Sequence, residues 1–179
     1  MAKRGRAGDG KLISVELYLL RHGIAEDESA GQPDSERSLT HEGRKKLADI
    51  LSAARAAGVA PSLILSSPFR RAVQTAEIAA EILTHSGEIL RTQALTPGST
   101  PQAVWEEVRV HRDADSILLT GHEPLFSAAT AFLLGAPSLE IDFKKGSMAR
   151  VDVYRFGPAP RGVLKWLLAP KLAPGAGRK

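Results

Sequence analysis

Three short stretches concentrate residues able to grip an anion. The first is Arg21-His22-Gly23, which closes the apolar run Val15-Glu16-Leu17-Tyr18-Leu19-Leu20. The second is Ser66-Ser67-Pro68-Phe69-Arg70-Arg71-Ala72, and the third is Gly121-His122-Glu123-Pro124, which follows Ser116-Ile117-Leu118-Leu119-Thr120. Guanidinium groups present a planar fork of donors that matches phosphate oxygens in bidentate fashion. Helices beginning at Ser67 and Glu123 would add free backbone N–H groups directed at the same anion. Two histidines and at least two arginines brought together in this way make a pocket matched to a phosphate.

For these residues to converge, the three apolar runs must be parallel neighbours in one sheet, with their carboxyl ends at the ligand crevice. The chain order fits that demand. After Gly23 a long acidic loop, Ile24 to Ser38, is broken by Gly31 and Pro33; loops of this length in compact domains are often functional. Thr40 reads as an N-cap, and Leu47, Ile50, Leu51 and Ala54 give its helix an apolar stripe ending near Gly58. Pro61 to Ser66 is a short strand, and Ser67-Pro68 predicts the start of a second helix running to about Leu83. A strand at Glu88 to Arg91, a helix from Pro101 to His111, the strand before Gly121 and a helix from Pro124 to Leu134 come next. Leu139–Phe143, Ala149–Phe156 and Val163–Ala169 read as closing strands. This alternation predicts a three-layer α/β domain whose mainly parallel sheet carries an antiparallel edge from the C-terminal strands.

The chain of 179 residues has room for one domain, expected over 12–169, with basic tails at 1–11 and 170–179 read as flexible extensions. A hydrophobic fraction of 43% and a charged fraction of 25% are ordinary for a globular protein. The absence of cysteine excludes disulfides, thiolate chemistry and Cys-based zinc sites. No apolar run reaches the ~18 residues of a membrane span and no signal-peptide core is visible, so the expected location is cytoplasmic, with no membrane partner. The net charge of +4 and the low aromatic content do not describe a dedicated nucleic-acid binder.

At the same three stretches the chain resembles the histidine phosphatase superfamily (phosphoglycerate-mutase-like). Arg21-His22-Gly23 matches its RHG motif, and Leu39-Thr40-His41-Glu42-Gly43 its LTxxG element. Ser67 to Ala76 matches SPxxRAxQTA, which assigns the family arginine to Arg71 rather than Arg70, and Gly121-His122 matches the second-histidine element. The resemblance spans roughly Leu17 to Leu134. It implies catalysis through a phosphohistidine intermediate on His22, with Arg21, Arg71 and His122 binding the phosphoryl group and no cofactor or metal. The chemistry is consistent: a neutral imidazole is nucleophilic near pH 7, and cationic donors neutralise charge as it spreads over the phosphoryl oxygens. A competing metal site, built from His22, His122 and the acids of the Ile24 to Ser38 loop, is opposed by the two arginines, which would repel a cation. His41, His85 and His111 are expected at the surface.

Family members acting on sugar phosphates commonly read RHGxTxxN, whereas Ala25 and Glu28 stand at those positions here. The RHGxA start, the short chain and Gly-His-Glu-Pro are similar to SixA-type phosphohistidine phosphatases. The stretch Leu95-Thr96-Pro97-Gly98-Ser99 holds no carboxylate to serve as the general acid of the larger phosphatases, although Glu26 or Glu123 could swing in. An alkyl phosphate needs such an acid more than a phosphoimidazole does. The substrate expected from this is a phosphohistidine on a protein partner. The alternatives are a small-molecule phosphomonoesterase using the same pocket and a non-catalytic phosphoryl-binding protein.

Overall fold

The computed structural model describes residues 14–173, and the expected N-terminal tail 1–11 lies outside them. Six strands form one sheet in the order β3-β2-β4-β1-β5-β6: β1 Val15–Arg21, β2 Leu63–Ser66, β3 Ile89–Arg91, β4 Ser116–Gly121, β5 Met148–Arg155 and β6 Arg161–Leu168. The pairs β1–β4, β4–β2 and β2–β3 are parallel, while β5 and β6 run antiparallel. The fold is therefore the three-layer α/β arrangement the sequence predicts, with a parallel core and an antiparallel edge.

Alternation along β1 sorts the core into two. Val15, Leu17 and Leu19 join the α3 (Pro101–Val110) and α4 (Leu125–Leu133) side, around Trp105 and Phe126. Tyr18 and Leu20 join the opposite face, under α1 (His41–Ala56) and α2 (Arg70–Ile82). A strand buried on both faces reads as a continuous apolar run, and each fully buried leucine contributes about 2 kcal/mol. This double burial makes β1 a stiff support for Arg21 and His22 at its carboxyl end.

The Leu39 to Gly43 element locks the chain beyond β1. Thr40 caps α1 by accepting from the Gly43 amide at 3.0 Å, and its own amide donates to the Ile24 carbonyl at 2.9 Å. A Cβ on Gly43 would sit 2.2 Å from that same carbonyl oxygen, so only glycine lets the loop approach the helix so closely.

The structure changes several sequence expectations. Helix α2 begins at Arg70 with Phe69 as its N-cap, rather than at Ser67-Pro68, and α4 begins at Leu125. Leu139–Phe143 is not a strand. Its carbonyls are committed elsewhere: Ile141 O accepts from Ser127 Oγ at 2.9 Å, and Phe143 O from Arg21 at 2.6 Å. The 170–179 tail is ordered at its start. Pro170–Leu172 form a 3-10 turn and Ala173 is buried in the α1 face of the core, so the packed domain runs beyond 169. Residues 174–179 lie outside the described region.

Candidate active site

The carboxyl ends of β1, β2 and β4 open into a cleft of about 310 Å³. Its lining includes Arg21, His22, Arg71, His122, Glu123 and Lys145. All four residues singled out from the sequence therefore share one cleft. His22, Arg71 and His122 are 7%, 4% and 1% exposed. Arg70 points elsewhere: it is exposed and lines a separate groove with Glu36, Gln74 and Arg91.

His22 is fixed through both backbone and ring. Its amide donates to Gly121 O at 3.0 Å and its carbonyl accepts from Gly146 N at 3.0 Å, tying it to β4 and to the turn before β5. Ring Nδ1 lies 2.7 Å from Gly23 O. A carbonyl only accepts, so Nδ1 carries the proton and Nε2 keeps its lone pair. Arg71 Nε donates to that lone pair at 3.3 Å. The His22 and His122 rings are 5.0 Å apart, with Phe69 edge-on to His122 at 5.1 Å. Burial, followed by the cations Arg71, Arg21 and Lys145, pushes His22 down to about 3 despite the Gly23 bond. Burial, the neighbouring His22 and the arginines likewise push His122 down to about 3. Both rings are neutral at physiological pH.

The outer part of the cleft is built from residues that the sequence did not assign to phosphate binding. Asp34, in a 3-10 turn of the Ile24 to Ser38 loop, accepts from Arg71 through its backbone carbonyl at 2.7 Å and through Oδ2 at 3.0 Å. Burial alone would raise the Asp34 carboxyl, but hydrogen bonds from Arg37 and Arg71 outweigh it and hold the group below its ordinary value. The loop is closed at its neck by an Ala25–Leu39 bridge and by Glu26 N donating to Ser38 O at 2.9 Å, which is how Asp34 reaches the cleft. Lys145 comes from the Lys145-Gly146 turn, the sequence signal for it being the adjacent glycine, whose φ is +76°. Of the two carboxylates considered as mobile acids, Glu26 is not among the lining residues. Glu123 is; it accepts from Ser127 N at 3.0 Å and shares the single Ser127 hydroxyl proton with Ile141 O. Glu28 joins them on the rim.

Of the remaining histidines, His41 is exposed as expected. His85 and His111 are half-buried: His85 Nδ1–H donates to Pro61 O at 3.0 Å, and His111 lies 3.4 Å from Glu107. Among the described residues no group of three or more His, Asp or Glu is placed to hold a metal ion. Among the same residues no helix is long and apolar enough to cross a membrane.

A neutral, lone-pair-bearing imidazole among guanidinium groups at parallel strand ends defines a phosphoryl-handling α/β protein. The family model of the histidine phosphatase superfamily (branch 1) matches residues 17–95. An uncharacterized protein of Picosynechococcus sp. is 33% identical over 139 residues, covering 75% of this chain and 82% of its own. The solved structure of the protein histidine phosphatase SixA complexed with tungstate matches with a TM-score of 0.78 at 25% identity, over 87% of this chain and 97% of that one. Mycobacterial glucosyl-3-phosphoglycerate phosphatase in complex with inorganic phosphate shares the fold, with a TM-score of 0.65 at 18% identity over 89% of this chain and 100% of its own. The chain belongs to the histidine phosphatase superfamily, and phosphatase chemistry comes with that membership.

Proposed function

We propose that this protein is a metal-independent phosphatase that transfers a phosphoryl group to His22 Nε2 and then to water, and that its substrate is a phosphohistidine presented on a protein. The observation that carries this reading is the proton arrangement of His22. Nδ1–H is held by Gly23 O, and Nε2 faces Arg71 with its lone pair available. In the first step Nε2 attacks phosphorus and the bond to the leaving group breaks. Arg21 and Arg71 neutralise charge as it spreads over the phosphoryl oxygens, and the neutral His122 ring donates a hydrogen bond to one of them. In the second step water attacks the phosphohistidine, and inorganic phosphate leaves with His22 restored.

The leaving group sets the substrate class. An alkoxide has a basicity comparable to hydroxide, whose parent water has a pKa of about 15.7, and needs a proton donor as it departs. A phosphohistidine whose second ring nitrogen is protonated, near a pKa of about 6.5, releases neutral imidazole unaided. Two acids of the cleft suit the second case. Asp34 is held ionised by two arginines, and Glu123 is occupied by Ser127. An open cleft rimmed by exposed side chains also suits a residue displayed on a protein surface.

Glu28, exposed on the rim, favours a second reading in which it protonates the leaving group of a small phosphomonoester. A side-by-side assay on a phosphohistidine protein, an aryl phosphate and a sugar phosphate separates the two. The phosphohistidine reading expects efficiency to fall steeply with leaving-group basicity, with the sugar phosphate far behind, and Glu28→Gln to change none of the three. A flat dependence that Glu28→Gln makes steep establishes the phosphomonoesterase instead.

A further inference from the structure

The Ser67 side chain has no exposed surface and does not cap α2. Its backbone is pinned on both sides. Ser67 N donates to Thr120 O at 3.0 Å, and Ser67 O accepts from Ser66 Oγ at 2.8 Å. Ser66 Oγ is in turn held by the Thr120 hydroxyl at 2.9 Å. The Ser67 hydroxyl thus has a fixed origin and two polar neighbours, Phe69 N at 3.3 Å and His122 Nε2 at 2.8 Å.

Donor counting settles the direction of each bond. The Phe69 amide can only donate, so Ser67 Oγ accepts from it. A hydroxyl has one proton to give, and His122 Nε2 is the acceptor within reach. If Nε2 carried the proton instead, the Ser67 O–H would be buried with no acceptor, and Nδ1 would be a buried lone pair with no donor. With Ser67 donating to Nε2, the proton of the neutral ring sits on Nδ1. That atom is buried and has no hydrogen-bond partner among the described residues.

We propose that Ser67 is a positioning residue that sets the tautomer of His122, keeping its proton on Nδ1 so that the ring offers an uncharged N–H donor to the phosphoryl group. The proposal rests on the phosphoryl-transfer reading for its purpose but not for its geometry. It divides the two neutral histidines by proton placement. Gly23 O fixes the proton of His22 away from Nε2, leaving a lone pair to attack, and Ser67 fixes the proton of His122 where a donor is wanted. The groups facing the pair, Arg71, Arg21 and Asp34, leave both rings neutral, so tautomer rather than charge distinguishes them.

Ring ¹⁵N spectra of the uniformly labelled full chain at neutral pH test this directly, with His122→Asn used to assign the signals. The expected pattern for His122 is a protonated Nδ1 and a hydrogen-bonded, unprotonated Nε2. Ser67→Ala should mix the two tautomers, weaken inorganic phosphate binding and slow phosphoryl transfer by about tenfold, the effect of one lost hydrogen bond. Ser67→Thr keeps the hydroxyl and should retain both the tautomer and the rate. A protonated Nε2 in the wild-type protein overturns the proposal, even if Ser67→Ala fails to fold. So does an unchanged tautomer in a folded Ser67→Ala. Because the tautomer is read in the resting protein, an inactive phosphatase with the expected spectrum refutes the function while leaving the proton assignment standing.

Discussion

The cleft has two parts built on different principles. Its floor, made of His22, Arg71 and His122, lies just beyond the ends of three parallel strands and is almost entirely buried. Its rim, made of Glu28, Asp34, Arg37, Pro97 and Lys145, hangs from loops and is half-buried or exposed. On the proposed reading the floor supplies the nucleophile and the charge neutralisation that phosphoryl transfer needs. The rim supplies charges of both signs at the distance where the rest of a substrate would lie. On that reading chemistry and selectivity are held by different parts of the chain, joined where Asp34 accepts from Arg71.

Perturbing the floor should have the largest effects. His22→Ala should abolish both turnover and the phosphorylated intermediate, detected by acid-labile labelling with any substrate. Turnover that survives this change would move the nucleophile elsewhere. Next, Arg71→Ala should cost about 10²–10³ in rate, as for one lost transition-state donor. Arg70→Ala should stay within about fivefold for both protein and small substrates, as befits an exposed charge. Equal losses at the two arginines would erase the boundary between floor and surface.

The rim should respond more gently and selectively. Lys145→Ala should raise KM by several-fold for an anionic substrate and leave kcat nearly unchanged, with the effect fading as salt screens it. A fall in kcat would place Lys145 on the reacting phosphoryl group.

A last effect is on stability. Each buried histidine has a folded-state value near 3, below the unfolded value of about 6.5, so unfolding takes up protons between these limits. Stability should be full above about pH 6.5 and fall as pH drops, by up to about 1.4 kcal/mol per pH unit for each ring. His22→Asn should remove one ring's share of that slope, as measured by denaturant unfolding at several pH values.

The floor was legible in the sequence because its ingredients are local. Each of its residues comes just after a short apolar run, and parallel pairing alone brings the three ends together. The rim was not legible, because Asp34 reaches Arg71 only through the Ala25–Leu39 closure, and Lys145 arrives only through the antiparallel pairing of β5 with β1. Leu139–Phe143 has strand-like composition, yet side chains of Arg21 and Ser127 occupy its carbonyls. Ser67 has the composition of a helix cap, but its hydroxyl goes to His122 and α2 starts three residues later. In both cases a distant side chain outcompeted the local backbone for a hydrogen bond, which no local pattern records.

The two backbone bonds that clamp His22 between Gly121 and Gly146 also decide how the enzyme should fail on heating. His22, the proposed nucleophile, sits one residue beyond β1 and is tied to β4 on one side and to the turn before β5 on the other, so it has no private way of loosening. Its amide should exchange with solvent only through opening of the whole domain, among the slowest in the chain. The loop bearing Asp34 is anchored at its neck and can fray first. Below the melting point the protein should therefore become less choosy before it becomes less active, and total activity should disappear only together with the fold.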